Sequence, residues 1–362
     1  MSLAAYNGRA RRIVTRSKYI ASSSMEVHRG STRLPEAPVE AIEMKTTETI
    51  GRKVRSGRLS DMRIFFGDIR KMTANEVANG EVALIVTSPP YYNAPFDYPD
   101  LFSSYDEYLD LVRAFASQSR RVLADGRICA IVTDDMLVSG NRGGRGRKFP
   151  IVADTTRIFL DEGFRYRDRI TWVKPAGYTR ISRRSGVVLQ HPYPMYFYPD
   201  NIQESILLFQ NGNFDYEQLK SMSSKILESS RIDTARFNSE YWNMSVWNIT
   251  NVLPRSGRVE EGVAAFPEEI PRRLIKLFTF AGETVFDPFL GSGTTLKVAR
   301  ELGRYGIGYE MDLELKDVID RKLGLGSQFM SRGQHSLKER PGARRLRKSL
   351  QSRIRVRKSV TC

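Results

Sequence analysis

Between residues 62 and 322, short β-rich runs alternate with stretches of helical period, and that alternation restricts the chain to very few architectures. The runs are 62–67 (MRIFFG), 81–87 (EVALIVT), 126–133 (GRICAIVT), 165–172 (RYRDRITW), 203–209 (QESILLF), 284–287 (TVFD) and 305–310 (YGIGYE). Helical patterns fall at 105–123, 150–162, 268–281, 293–303 and 313–322. Strands fed by crossover helices lie parallel, and a parallel sheet has to be covered on both faces. The expectation is an α/β chain built on a single, mostly parallel, seven-stranded sheet with helices on both sides. Two segments break the pattern: a Gly/Arg-rich loop at 139–149 (SGNRGGRGRKF) and a polar, aromatic stretch at 211–262.

The net charge of +16 is unevenly spread. Residues 1–35 hold seven Arg or Lys against one Glu, and 332–362 hold eleven against one, which leaves 36–331 formally neutral. Cationic tails on a neutral body suit arms that neutralise phosphates; solvated, disordered tails are the plain alternative, and the N-terminal arm also has the composition of a transit peptide. With only Cys129 and Cys362 there is no disulfide framework, and His28, His191 and His335 are too scattered to hold a metal, so none is expected. No apolar run approaches the roughly 18–20 residues of a membrane span, which points to a soluble, cytoplasmic protein with no membrane partner.

The most specific local signal is Thr87-Ser88-Pro89-Pro90-Tyr91-Tyr92-Asn93, directly after an apolar strand. Ligands of open α/β sheets bind at the carboxyl ends of strands. Pro89 and Pro90 fix φ and remove two backbone donors, leaving carbonyl oxygens to accept. Tyr91 can cover a flat ligand with its ring face, and Ser88 adds a hydroxyl. Alone, the motif would read as a proline-rich turn closing a strand.

It is not alone. Residues 284–295 run through a short strand, Asp287, a glycine turn and a helix start: Asp287-Pro288-Phe289-Leu290-Gly291-Ser292-Gly293-Thr294-Thr295. The turn lacks the Gly-Lys-Ser/Thr ending of a triphosphate loop, and Asp287 would repel phosphates and suit a cationic cofactor. The next strand ends in Glu310, the usual place for a carboxylate that clamps ribose hydroxyls. Glycine turn and acidic clamp together read as a site for an adenosine-containing cofactor without a phosphate tether.

At this point the chain resembles the S-adenosylmethionine-dependent amino-methyltransferases of DNA, in the circularly permuted class whose catalytic motif precedes the cofactor loop. The resemblance covers roughly 62–322 and implies a Rossmann-like methyltransferase fold. Thr87 to Asn93 is similar to the catalytic motif in its serine form, which the family associates mainly with N4-cytosine enzymes, where N6-adenine enzymes commonly have Asp or Asn. Asp287 to Thr295 is similar to the S-adenosylmethionine loop, Phe266 and Pro267 to the segment that helps enclose the methionine moiety, and Gly67-Asp68 to a pair whose acid contacts adenine. Trp172-Val-Lys174 and Ser205 to Phe209 match later family strands, and Val246 to Ile249 a segment before the cofactor half. The domains this suggests are an arm (1–61), a catalytic half (62–210), a small target-recognition insert (211–262), a cofactor half (263–331) and a tail (332–362).

The resemblance implies methyl transfer from S-adenosylmethionine to the N4 amino group of a cytosine flipped out of double-stranded DNA, with a cognate restriction endonuclease as a possible partner. Ser88 and the Pro89 carbonyl would accept from the amino hydrogens, and Tyr91 would stack on the base through its ring face, its hydroxyl unused. Tyr92 is a second aromatic for the nucleic acid. Arg142, Arg145, Arg147 and Lys148, in the loop after a central strand, suit phosphate contact. Trp172 and Lys174 could reach DNA as well, although a strand tryptophan is more often core and a strand-end lysine often solvated. C5 methylation requires a cysteine nucleophile beside a proline, which neither cysteine supplies. An N6-adenine or RNA amino-methyltransferase, or a non-catalytic nucleic-acid-binding relative, remains as an alternative.

Overall fold

The computed structural model describes residues 62–93, 101–138, 147–174, 201–250 and 266–325. The arm, the tail, Arg142 and Arg145 lie outside the described residues.

Ten strands occur among the described residues: β1 (Met62–Phe66), β2 (Val82–Thr87), β3 (Leu123–Thr133), β4 (Met136–Val138), β5 (Arg147–Phe149), β6 (Arg165–Val173), β7 (Gln203–Gln210), β8 (Val246–Asn248), β9 (Thr284–Asp287) and β10 (Tyr305–Glu310). Eight form one sheet in the order β1-β10-β9-β2-β3-β7-β6-β8. Only β7 runs against its neighbours; all other pairings in this sheet are parallel. Every residue of β2 is buried, as an unbroken apolar run in a sheet covered on both faces must be.

All seven expected strands are present. The eighth, β8, comes from the stretch assigned to an insert and pairs with β6, placing Trp247 opposite Trp172. Three residues in the burial order exposed, buried, exposed are too few for a period to register. The Gly/Arg-rich loop also differs from expectation, because its last three residues form β5 and pair antiparallel with β4.

Helices α1 (Tyr105–Val122) and α2 (Ile151–Asp161) cover one face of the sheet, with Tyr108, Phe115 and Phe159 in the core beneath them. Ser104 starts α1 by accepting from the Glu107 amide at 3.1 Å, a hydroxyl satisfying an orphan donor of the first turn. Pro150 cannot cap α2 in that way. Asp135, just past the end of β3, does it instead through the Val152 amide at 3.0 Å.

Three short helices follow β7: α3 (Gln218–Ser221), α4 (Ser224–Ser229) and α5 (Thr234–Ser239). On the other face, α6 (Glu269–Phe278) and α7 (Thr294–Glu301) pack on Leu84, Val86 and Val285, and α8 (Lys316–Leu323) closes a smaller cluster over Met62 and Leu296. The segment around α5 is anchored to α6 by Arg273, which bridges Glu269 and Glu240 and lies 5.3 and 5.1 Å from the rings of Trp242 and Trp247.

From β9 the chain continues to β10 on one side, and from β2 to β3 on the other. The strand order therefore reverses between β9 and β2, and the crevice at their carboxyl ends is where an open α/β sheet holds ligands.

Candidate active site

Thr87 ends β2 and Asp287 ends β9, and although 200 residues apart they join directly: Thr87 Oγ1 donates to Asp287 Oδ1 at 2.6 Å. The Phe289 amide donates to the same oxygen at 3.2 Å. Asp287 is only 2% exposed, and burial pushes its carboxyl up to about 6 in spite of the hydroxyls of Thr87 and Thr295. The sequence reading offered this carboxylate to a cationic cofactor; in the structure it is held inside the protein, fastening the catalytic strand to the cofactor strand.

The turn after Asp287 depends on two glycines in the left-handed region, Gly291 at φ 53° and Gly293 at φ 89°, the second opening α7. Pro288 is buried and Phe289 packs against Phe115. Glu310 faces the turn from the end of β10. Its Oε2 accepts from the Gly291 amide at 2.7 Å and its Oε1 from the Asp312 amide at 2.8 Å, while burial raises its carboxyl to about 7. Lys322 reaches the turn from α8, donating to the hydroxyls of Ser292 and Thr294 at 2.9 and 2.8 Å.

Asp68 follows β1 at the same sheet edge, one residue beyond Gly67, whose amide donates to the Glu310 carbonyl at 2.8 Å. Burial opposes its ionisation, but hydrogen bonds from Arg70 prevail and hold it below the ordinary carboxylate value. Phe266 packs against the core under α6, and the Pro267 carbonyl accepts from the Ile270 amide in the first turn of that helix. Two carboxylates at neighbouring strand ends beside a glycine turn offer acceptors for ribose hydroxyls and an adenine amino group. These acceptors fit an adenosine-type cofactor.

On the other side of the switch point, Pro89 is buried and Ser88, Pro90 and Tyr91 are half-buried. The Tyr91 hydroxyl donates to Glu204 Oε2 at 2.8 Å, and the other Glu204 oxygen pairs with Lys174. Burial, with the negative charge of Glu204 next, raises the Tyr91 hydroxyl well above the ordinary phenol value, while a hydrogen bond from Ser88 pulls the other way. The hydroxyl, for which the sequence reading had no part, is engaged by Glu204 within the protein.

Glu204 and Asp134 were missed by the sequence reading, and Asn93 entered it only as the last residue of the motif. Asp134 follows β3, accepts from Asn201 and is raised by burial to about 7. Asn93 holds φ 42° and bonds both the amide and the carbonyl of Phe102 at 2.9 Å, fixing the exit of the catalytic motif. The available signal was positional: Asp134 directly follows one apolar strand and Glu204 is the second residue of another.

The residues assigned to nucleic acid fare unevenly. Tyr92 is a correction: it is 8% exposed, with its ring 4.7 Å from Phe149 and 5.1 Å from Tyr105, so an aromatic cluster and not a base covers it. Trp172 is another, 2% exposed, with its indole nitrogen donating to the Ile249 carbonyl at 2.8 Å. Lys174 is engaged by Glu204 and lies 5.0 Å from the Trp172 ring. Arg147 is exposed on β5 over the Phe149 ring, and Lys148 beside it is half-buried.

A sheet of this order, with a glycine turn and acidic clamp on one side of its switch point and a Ser-Pro-Pro-Tyr motif on the other, defines a methyltransferase of the nucleotide-modifying kind. The chain belongs to the N6/N4 DNA methylase family, whose model matches residues 82–321. It is 32% identical over 294 residues to the type II methyltransferase M.MjaI of Methanocaldococcus jannaschii, covering 73% of this chain and 91% of that one. To M.MthZI of Methanothermobacter thermautotrophicus it is 29% identical, with 72% and 76% covered. A solved structure from Thermus thermophilus, assigned as a DNA modification methylase and complexed with S-adenosyl-L-methionine, superimposes with a TM-score of 0.57 at 26% identity over 73% of this chain and 93% of that one. The protein is a DNA methyltransferase of the N6/N4 family, and S-adenosylmethionine is its methyl donor.

Proposed function

We propose that the protein methylates the N4 amino group of cytosine at a specific site in double-stranded DNA. The observation that carries this reading is Ser88 at the head of the catalytic motif, a neutral hydroxyl where an N6-adenine enzyme would be expected to carry Asp or Asn. Bound S-adenosylmethionine supplies an electrophilic methyl group on its sulfonium; Glu310, Asp68, the turn 287–294 and the segment Phe266-Pro267 would hold it. In this reading Asp287 acts through the shape of the turn.

An exocyclic amino group is a poor nucleophile because its lone pair is delocalised into the ring, and in a duplex it is also paired, so the base has to leave the stack. Ser88 and the Pro89 carbonyl accept from the amino hydrogens and draw the nitrogen towards tetrahedral geometry. Tyr91 stacks on the base, a contact worth about 1–3 kcal/mol. The crevice contributes chiefly proximity and alignment.

Arg147 and Lys148 supply phosphate contacts on β5, and the basic tails add sequence-independent affinity. The likeness to type II methyltransferases supports the reading that a cognate endonuclease shares the recognition site and that the protein acts in the cytoplasm. Mass spectrometry of nucleosides from DNA incubated with the protein and S-adenosylmethionine tests the reading. N4-methylcytosine is the expected product, and N6-methyladenine in its place would overturn the assignment.

A further inference from the structure

Gly291 and Gly293 give the turn after β9 its left-handed path, and the same freedom would let it take others, so contacts from outside have to hold it. Glu310 does so from β10, through the Gly291 amide at 2.7 Å. The second half of the turn is held by a different element. Lys322, in the last turn of α8, donates to the Ser292 hydroxyl at 2.9 Å and to the Thr294 hydroxyl at 2.8 Å. Both serine and threonine are buried, and the lysine is half-buried. An ammonium only donates and carries several hydrogens, so one lysine can tie the two hydroxyls that flank Gly293.

The helix that carries Lys322 is itself fixed. Ile319 and Leu323, one helical turn apart, are buried in a cluster with Leu290 of the glycine turn and Leu296 of α7. Leu323 also lies over Gly293, 3.7 Å from the point where a side chain there would begin. One end of α8 therefore brings an apolar contact and a doubly bonded cation to the same stretch of backbone.

We propose that Lys322 is a positioning residue for S-adenosylmethionine: by binding Ser292 and Thr294 it locks the second half of the turn in the conformation that accepts the cofactor, without touching the cofactor itself. The inference rests on the reading of the turn 287–294 as the cofactor's seat. A turn released from this lock loses affinity in proportion to the fraction of molecules that no longer hold the competent shape. Because the effect works through shape, it is the same for S-adenosylmethionine and for S-adenosylhomocysteine. A lysine acting through its charge would treat the two differently, since only the first carries a sulfonium.

The test uses the full chain and calorimetric titration with each of the two ligands. Lys322→Met keeps an unbranched side chain and removes the ammonium; it should weaken both ligands equally, by about tenfold, with KM for S-adenosylmethionine rising in step and KM for plasmid DNA unchanged. In a Ser292→Ala, Thr294→Val background it should weaken them no further, because the groups it ties are gone. Should Lys322→Met fail to fold, Lys322→Gln replaces it, with a smaller loss in the same pattern. A lowered melting temperature with unchanged affinity would make Lys322 a residue of the fold alone and overturn the proposal, as would unequal losses for the two ligands or losses that multiply in the combined variant. Glu310→Ala separates the two levels of failure. If it binds cofactor as tightly as the unaltered protein and Lys322→Met does too, the reading of the seat falls; if Glu310→Ala is weakened and Lys322→Met is not, only the role of Lys322 falls.

Discussion

Glu310 holds two backbone amides and keeps lone pairs over for a ligand, which makes its removal informative. Glu310→Ala should weaken S-adenosylmethionine binding by about 1.5–3 kcal/mol, the scale of a lost charge-assisted hydrogen bond. Unchanged affinity by calorimetry in a folded variant would rule out the clamp. The adjacent tyrosines allow a contrasting measurement. Tyr92 lies in an aromatic cluster with Phe102, Tyr105, Tyr108 and Phe149, so Tyr92→Ala should destabilise the fold by about 3–5 kcal/mol and lose activity through unfolding. A Tyr92→Ala protein with an unchanged melting temperature and weakened DNA binding would return the residue to the interface. The motif letters alone could not separate Tyr91 from Tyr92, since the two aromatics are adjacent and only the path of the chain decides which one turns inward. Asp287 was legible as a site residue but not as a buried strap, because its partner Thr87 is 200 positions away.

The antiparallel pair β4–β5 brings the start and end of the Gly/Arg-rich segment together, and Arg147 and Lys148 stand on its returning strand. A strand-borne cation has a defined place relative to the crevice, so the double variant Arg147→Ala, Lys148→Ala should weaken DNA binding and lower the slope of log affinity against log salt by roughly 0.9 for each phosphate no longer neutralised. Binding with an unaltered slope would remove both residues from the interface. These two strands of three residues are also where sequence reading failed, as it did at β8. Burial periodicity needs several residues to show, and β2, β9 and β10 show it because each is continuously apolar or nearly so. The alternation of strands and helices was legible in the sequence, but the order of the strands in the sheet was not; the eighth strand depended on a Trp172–Trp247 pairing that only the folded chain contains.

Over the whole molecule, carboxyl groups at the crevice set a pH dependence of definite sign. Asp287 is raised from 3.8 to about 6, Asp134 from 3.8 to about 7 and Glu310 from 4.5 to about 7, in each case foremost by burial. A carboxyl whose value is higher folded than unfolded favours the native state fully below the unfolded value, and that contribution is lost as pH rises through the folded one. Glu240 acts in the opposite sense, held at about 2 chiefly by its hydrogen bond with Arg236, but its contribution is lost only as pH falls from 4.5 towards 2. Between pH 5 and 8 the three crevice groups therefore dominate, and the melting temperature of the cofactor-free protein should decline across that interval. Cofactor affinity should move the other way, because an ionised Glu310 accepts from ribose hydroxyls more strongly than a protonated one. Thermal melts and calorimetric titrations at half-unit steps from pH 5 to 8 would read both slopes. Glu310→Gln should flatten each of them, and a melting temperature that rises with pH in the unaltered protein would contradict the assignment of these three carboxyls.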